Sequence, residues 1–264
     1  MTYCLAINLN QGLVFCSDSR TNAGMDNVST YSKMHTFMWP GERIFVLLSA
    51  GNLATTQAVV KRINRDVEQD VFPNLRSVAS MHEAADYVGL ISTDFQRLHA
   101  SRDTATTNFE ASFIFGGQVG QGNRAAPEIF MIYPQGNYIH ESDNHPFLQV
   151  GETKYGKPIL DRIIKRNVDL ERAARCALVS MNSTVRSNVT VGAPIELLIY
   201  ERDSLTEGRR LYLTEDDPYF REISDRWNQG LVLALDSLPR FTWEEEHAAQ
   251  RAQGQIFPFP PGSS

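Results

Sequence analysis

The chain of 264 residues carries 25 Lys and Arg against 31 Asp and Glu, a formal charge of −6, and is 42% hydrophobic. Such a chain can fill one large core, and its acidic balance without a long basic run argues against nucleic acid as a partner. No stretch approaches about 18 apolar residues, and Met1-Thr2-Tyr3-Cys4-Leu5-Ala6-Ile7-Asn8 has neither the basic start nor the long apolar run of a secretory signal. A cytoplasmic protein with no membrane partner is expected.

Residues 3–9 and 13–17 are apolar runs separated by Asn10-Gln11-Gly12, a hairpin signal. Both runs are apolar or small on both faces, so their sheet is expected to be covered on both sides. After a polar stretch at 19–32, a second pair of runs at 33–39 and 43–49 is broken by Pro40-Gly41, so four strands are expected before any helix. From Asn52 the apolar period lengthens to about 3.6, with Leu53, Val60, Ile63, Val67 and Val71 on one face up to Pro73. A second helix follows through Ala84, Val88, Ile91, Phe95 and Leu98, and then strands at 111–117, 128–133, 138–140 and 147–151. Helices are expected at about 155–165 and at 169–184, the second capped by Asp169. Strands at 195–200 and 211–213 and a helix at 217–235 complete the pattern.

Runs of strands alternating with pairs of helices predict an α+β fold, a four-layer αββα sandwich of two antiparallel sheets with helices outside. Residues 1–235 are expected to form a single domain, and 236–264 a tail that is flexible or docks on a neighbouring subunit. The three cysteines, Cys4, Cys16 and Cys176, lie far apart in apolar sequence and read as buried reduced thiols. No His, Cys and carboxylate residues fall at metal-ligand spacing in the sequence, so neither a metal nor another cofactor is expected. No Gly-x-Ser-x-Gly elbow accompanies the six histidines, which leaves a Ser-His-Asp hydrolase unsupported.

Thr2 offers a different chemistry. With Met1 removed it would carry a hydroxyl nucleophile and a free α-amine on one residue. Sixteen residues further on comes Asp18-Ser19-Arg20-Thr21-Asn22-Ala23-Gly24, followed by Lys33 and by Ser49-Ala50-Gly51 at a strand-to-helix junction. This constellation resembles the β-type proteasome subunits, and within them the bacterial ancestral-β-subunit branch, Anbu. The resemblance covers residues 2 to about 202 and is most specific in the first fifty.

The resemblance implies an N-terminal-nucleophile (Ntn) hydrolase: a threonine-type peptidase acting on peptides or unfolded proteins and assembled as a homo-oligomer, a ring or an open spiral. It carries catalytic roles onto Thr2, Asp18, Lys33 and Gly51, and substrate-binding roles onto Asn22, Ser49 and Leu53, with Tyr31 beside the first specificity pocket. Physically, an α-amine titrating near 7.7–8.0 can take the hydroxyl proton, a Lys33 ammonium favours the neutral amine, and Asp18 keeps Lys33 charged. Gly51 would help present backbone donors to the developing oxyanion.

Three departures accompany the resemblance. Lys33 lies thirty-one residues after Thr2, one fewer than usual, with the loss assigned to the 25–32 loop. In Arg186-Ser187-Asn188-Val189-Thr190-Val191-Gly192, Ser187 replaces an expected Asp and Thr190 an expected Ser, which leaves them supporting roles near the amine. Only Met1 precedes Thr2, so exposure would rely on methionine removal rather than on a cleaved propeptide. Two alternatives stand beside this reading: an Ntn hydrolase of small amides, and a non-catalytic assembly subunit like the α-type proteasome subunits.

Overall fold

The computed structural model describes residues 2–22, 28–102, 107–122 and 125–244; the side chains of Asn22 and Val28 fall outside that description. Met1, residues 25–27 of the 25–32 loop and residues 245–264 of the tail lie outside the described residues. The chain divides into two units, Met1–Ser224 and Asp225–Ser264.

The first unit is built on two antiparallel five-stranded sheets. One has the order β10-β1-β2-β11-β12, from Phe147–Gly151, Tyr3–Leu9, Gly12–Asp18, Ile195–Glu201 and Arg209–Leu213. The other runs β5-β6-β7-β8-β9, from Met34–Trp39, Arg43–Gly51, Ala111–Val119, Glu128–Ile132 and Tyr138–His140. Helices α1 (Leu53–Glu68) and α2 (Met81–Arg102) follow β6, and α3 (Lys157–Ile163) and α4 (Leu170–Ser187) follow β10. Helix α5 covers Pro218–Asp236.

Strand periodicity explains why β1 and β2 read as apolar on both faces. Tyr3, Leu5 and Ile7 pack with Leu170, Ala174, Leu178 and Met181 of α4 in one buried cluster. The alternate residues Cys4 and Ala6, with Phe15 of β2, meet Val46 and Leu48 of β6 and Ile114 of β7 in another. A third cluster joins Phe45, Leu47, Phe113 and Phe115 to Val59 and Ile63 of α1 and Val88 of α2. Each fully buried Leu, Ile or Phe contributes about 1.5–3 kcal/mol, so β1, buried along its whole length, is anchored on both faces. Burial also leaves all three cysteines as free thiols and pushes the Cys176 thiol up to about 12.

Local signals placed most helix boundaries. The Asn52 side chain accepts from Thr55 N at 3.2 Å, and Asp169 accepts from Arg172 N at 2.7 Å, which fixes the starts of α1 and α4. The stripe on α1 differs from the sequence expectation. The helix ends at Glu68 and buries Val59 and Ile63, while Val71 is exposed. Asp70 adopts a φ of 50°, which turns the chain out of the helix before Pro73. The polar stretch 19–32 also contains a short hairpin, β3 (Arg20–Asn22) with β4 (Val28–Thr30), so among the described residues six strands precede α1 instead of four.

In the second unit, Leu231, Val232, Leu233, Leu235 and Leu238 are exposed, and the rings of Phe241 and Trp243 stack 4.4 Å apart. Among the described residues no helix is long and apolar enough to cross a membrane.

Candidate active site

Thr2 precedes β1, and its carbonyl accepts from Glu152 N at 2.8 Å, so the start of the chain is held against the end of β10. Gly151 permits this closeness. It has a φ of 89°, and a Cβ there would overlap the Thr2 carbonyl.

Asp18, at the end of the neighbouring strand β2, is fully buried. Its Oδ1 accepts from Tyr3 N at 3.0 Å and from Lys33 Nζ at 2.7 Å, and its Oδ2 from Gly192 N at 3.4 Å. Burial pushes this carboxyl up, and the Lys33 ammonium and the two backbone donors oppose that rise. Lys33, 6% exposed, also donates to the Arg20 carbonyl at 2.7 Å, and its own carbonyl accepts from Ser49 N. A single carboxylate therefore ties together the residue after Thr2, the loop before β5 and the loop after α4.

Thr2, Lys33 and Gly51 line one cleft of about 650 Å³. Ser49, Leu53 and Tyr31 are on its walls as well, together with His35, whose imidazole burial holds below its ordinary value. Asn22 lies in β3, opposite Val28.

Gly51 ends β6 with a φ of 109°; a Cβ there would overlap the Glu110 carbonyl and stand 2.9 Å from the Ala111 Cα. The residue after it caps α1, so the strand-to-helix turn is set by backbone that only glycine adopts without strain. Gly51→Ala is expected to cost about 1–3 kcal/mol, read as a lower denaturant midpoint at unchanged slope. A midpoint equal to that of the unaltered chain would mean that the turn relaxes freely.

Ser187 and Thr190 are placed differently from their neighbours in the motif. Ser187 is the exposed last residue of α4, and the Thr190 hydroxyl donates to Asn188 Oδ1 at 2.6 Å; neither side chain is on the wall of the cleft. The segment reaches the site through its backbone, by the Gly192 N–H to Asp18. Arg20 holds that backbone in place. Its guanidinium donates to the Val189 carbonyl at 3.0 Å and packs so tightly on Gly192 that any Cβ there would strike it.

Behind Lys33 lies a second buried acid that sequence reasoning missed. Glu196 of β11 accepts from Ser19 Oγ at 3.3 Å and is ion-paired with Arg210 of β12, which also donates to the Met34 carbonyl. A lone Glu within an apolar strand was its one signal in the sequence.

No protein-family model and no curated protein sequence matches the chain. Solved structures do. Anbu (ancestral beta-subunit) from Yersinia bercovieri is 44% identical over 91% of this chain and 100% of its own, with a TM-score of 0.85. Anbu from Hyphomicrobium sp. strain MC1 is 46% identical over 91% and 99%, with a TM-score of 0.81. The Anbu complex from Pseudomonas aeruginosa, solved as a helical assembly, is 45% identical over 91% and 98%, with a TM-score of 0.86. With identity at this level across nearly the whole of each relative, the chain belongs to the Anbu branch of the proteasome-type subunits.

Proposed function

We propose that this Anbu-family chain is a threonine-type peptidase of the cytoplasm, built as a four-layer αββα Ntn-hydrolase sandwich, with Thr2 as nucleophile once Met1 is removed. The observation that carries the reading is the shared cleft of Thr2, Lys33 and Gly51, with Lys33 paired to a buried Asp18 that also accepts the Tyr3 N–H.

The Thr2 α-amine takes the proton of its own hydroxyl as the oxygen attacks a substrate carbonyl. Two of the three Lys33 donors are engaged by Asp18 and Arg20, and the third is left for the cleft, where the positive charge favours a neutral amine and a developing alkoxide. Backbone at the Gly51 turn stabilises the tetrahedral oxyanion. The ammonium formed on Thr2 then returns its proton to the departing amine, leaving an ester on Thr2. Water, deprotonated by the same amine, hydrolyses that ester and restores the enzyme. Asn22 aligns the peptide by its backbone, and Ser49 and Leu53 shape the pocket for one side chain. Thr190 supports the amine indirectly, by its hydrogen bonds to Asn188 within the loop whose Gly192 N–H holds Asp18, and Ser187 ends the helix from which that loop departs.

The helical assembly of the Pseudomonas aeruginosa relative supports a homo-oligomer here, as do the exposed apolar residues from Leu231 to Trp243. A peptide epoxyketone or β-lactone probe is expected to form one covalent adduct per chain, a ring closed on the hydroxyl and α-amine with the first and an ester with the second, mapped in both cases to an N-terminal Thr2. An adduct elsewhere, or none on a chain shown by intact mass to begin at Thr2, would remove the peptidase reading.

A further inference from the structure

Away from the cleft, the fold gathers three side chains that are scattered in sequence. His82 is in the first turn of α2, Glu128 opens β8 and His140 ends β9. In the β8–β9 ladder His140 lies opposite Phe130, and Glu128 is two residues from Phe130, so all three side chains project from one face. Phe130 is fully buried against α2, which brings His82 over the same face. The Phe130 ring lies 5.2 Å from the His82 ring and 4.8 Å from the His140 ring and forms an apolar floor.

The polar atoms converge above that floor. One ligand atom from each of His82, Glu128 and His140 lies within 4.8 Å of the others. The two imidazoles are 5.1 Å apart and inclined at 53°, so they are not stacked. His82 Nδ1 stands 3.9 Å from Glu128 Oε2, beyond hydrogen-bonding distance. Bonds of about 2.0–2.2 Å from a tetrahedral cation to N and O donors bring ligand atoms to about 3.3 Å of one another. The histidines are exposed, so side-chain rotations of about an ångström close the difference. Nearby acids are otherwise engaged: Glu141 accepts from Asn8 and Arg166, and Asp86, one turn after His82, accepts from the Tyr138 hydroxyl.

We propose that His82, Glu128 and His140 bind a divalent transition metal ion of the zinc class. Two imidazoles and one carboxylate suit Zn²⁺, Ni²⁺ or Cu²⁺ and disfavour Mg²⁺ or Ca²⁺, which take oxygen donors. Phe130 closes the inner side, so the remaining coordination positions face solvent. The ion clips the start of α2 to β8 and to the three-residue edge strand β9, and it stabilises the fold by binding the native arrangement alone. Spacing along the chain could not reveal the group, because its members lie on three elements.

The test uses the full, untagged chain, stripped with a chelator and titrated with Zn²⁺ by calorimetry and with Co²⁺ by visible absorption. One equivalent is expected to bind at micromolar concentration or below, with tetrahedral Co²⁺ bands and a melting temperature raised by several degrees. His82→Ala and His140→Ala are each expected to weaken binding by more than about tenfold and to abolish the melting shift. His145→Ala, outside the group, should leave both unchanged. His140→Gln, which preserves much of the ring's bulk, guards against a packing effect and should behave as His140→Ala does. Equal Zn²⁺ affinity in the unaltered chain and in the His82→Ala/His140→Ala double variant would overturn the proposal. None of these readouts depends on peptidase activity.

Discussion

Thr2→Ala is expected to reduce covalent labelling by an epoxyketone or β-lactone probe to background while changing stability by no more than about 0.5 kcal/mol. The two halves follow from different atoms. Thr2 is fixed by its backbone, through the Glu152 N–H on its carbonyl and the close approach of Gly151, and Ala keeps both. What Ala removes is the hydroxyl, and with it the only atom that can become the ester oxygen in the proposed mechanism. Thr2→Ser keeps that atom and should retain labelling at a reduced rate. Labelling that survives in Thr2→Ala, at an unchanged melting temperature, would place the nucleophile elsewhere in the chain.

Lys33→Ala should be damaging in two ways at once. It leaves Asp18 fully buried with two backbone donors and no positive partner, a loss of about 3–5 kcal/mol for a broken buried pair. It also removes the ammonium beside the Thr2 amine, so the acylation rate should fall by about 10²–10⁴. The double variant Asp18→Asn/Lys33→Ala separates the two effects. Replacing the stranded carboxylate by an amide should recover part of the stability and none of the activity. A double variant as unstable as Lys33→Ala would show that Asp18 is not the group left uncompensated.

The parts of this protein that could be read from the sequence share a physical character. The β1–β2 hairpin, the two helix pairs and the Asp169 cap each announce themselves within a few residues, through apolar period or side-chain capping chemistry. The β3–β4 hairpin does not, because its six residues are mostly polar and carry no alternation. Asp18 and Lys33 were singled out by the resemblance and expected to pair on grounds of charge, and the structure pairs them at 2.7 Å. Glu196 and the Arg20–Gly192 packing were not, since those contacts join residues about 170 apart in the chain. Where α4 would stop could not be read from position alone: the helix continues to Ser187, beyond the expected 184, and leaves that side chain exposed.

The place of β1 in its sheet also sets the order in which the site comes into being during synthesis. Its partner β2 follows at once, but β10, whose end ties down Thr2, emerges about 150 residues later, and Gly192, the last donor to Asp18, later still. At about 5–20 residues per second, the ribosome makes that interval roughly 7–30 s. Throughout it Thr2 lacks the Glu152 N–H on its carbonyl, and Asp18 lacks the Gly192 N–H. In the proposed mechanism, the order of translation would therefore keep Thr2 inert until the chain has been made as far as Gly192.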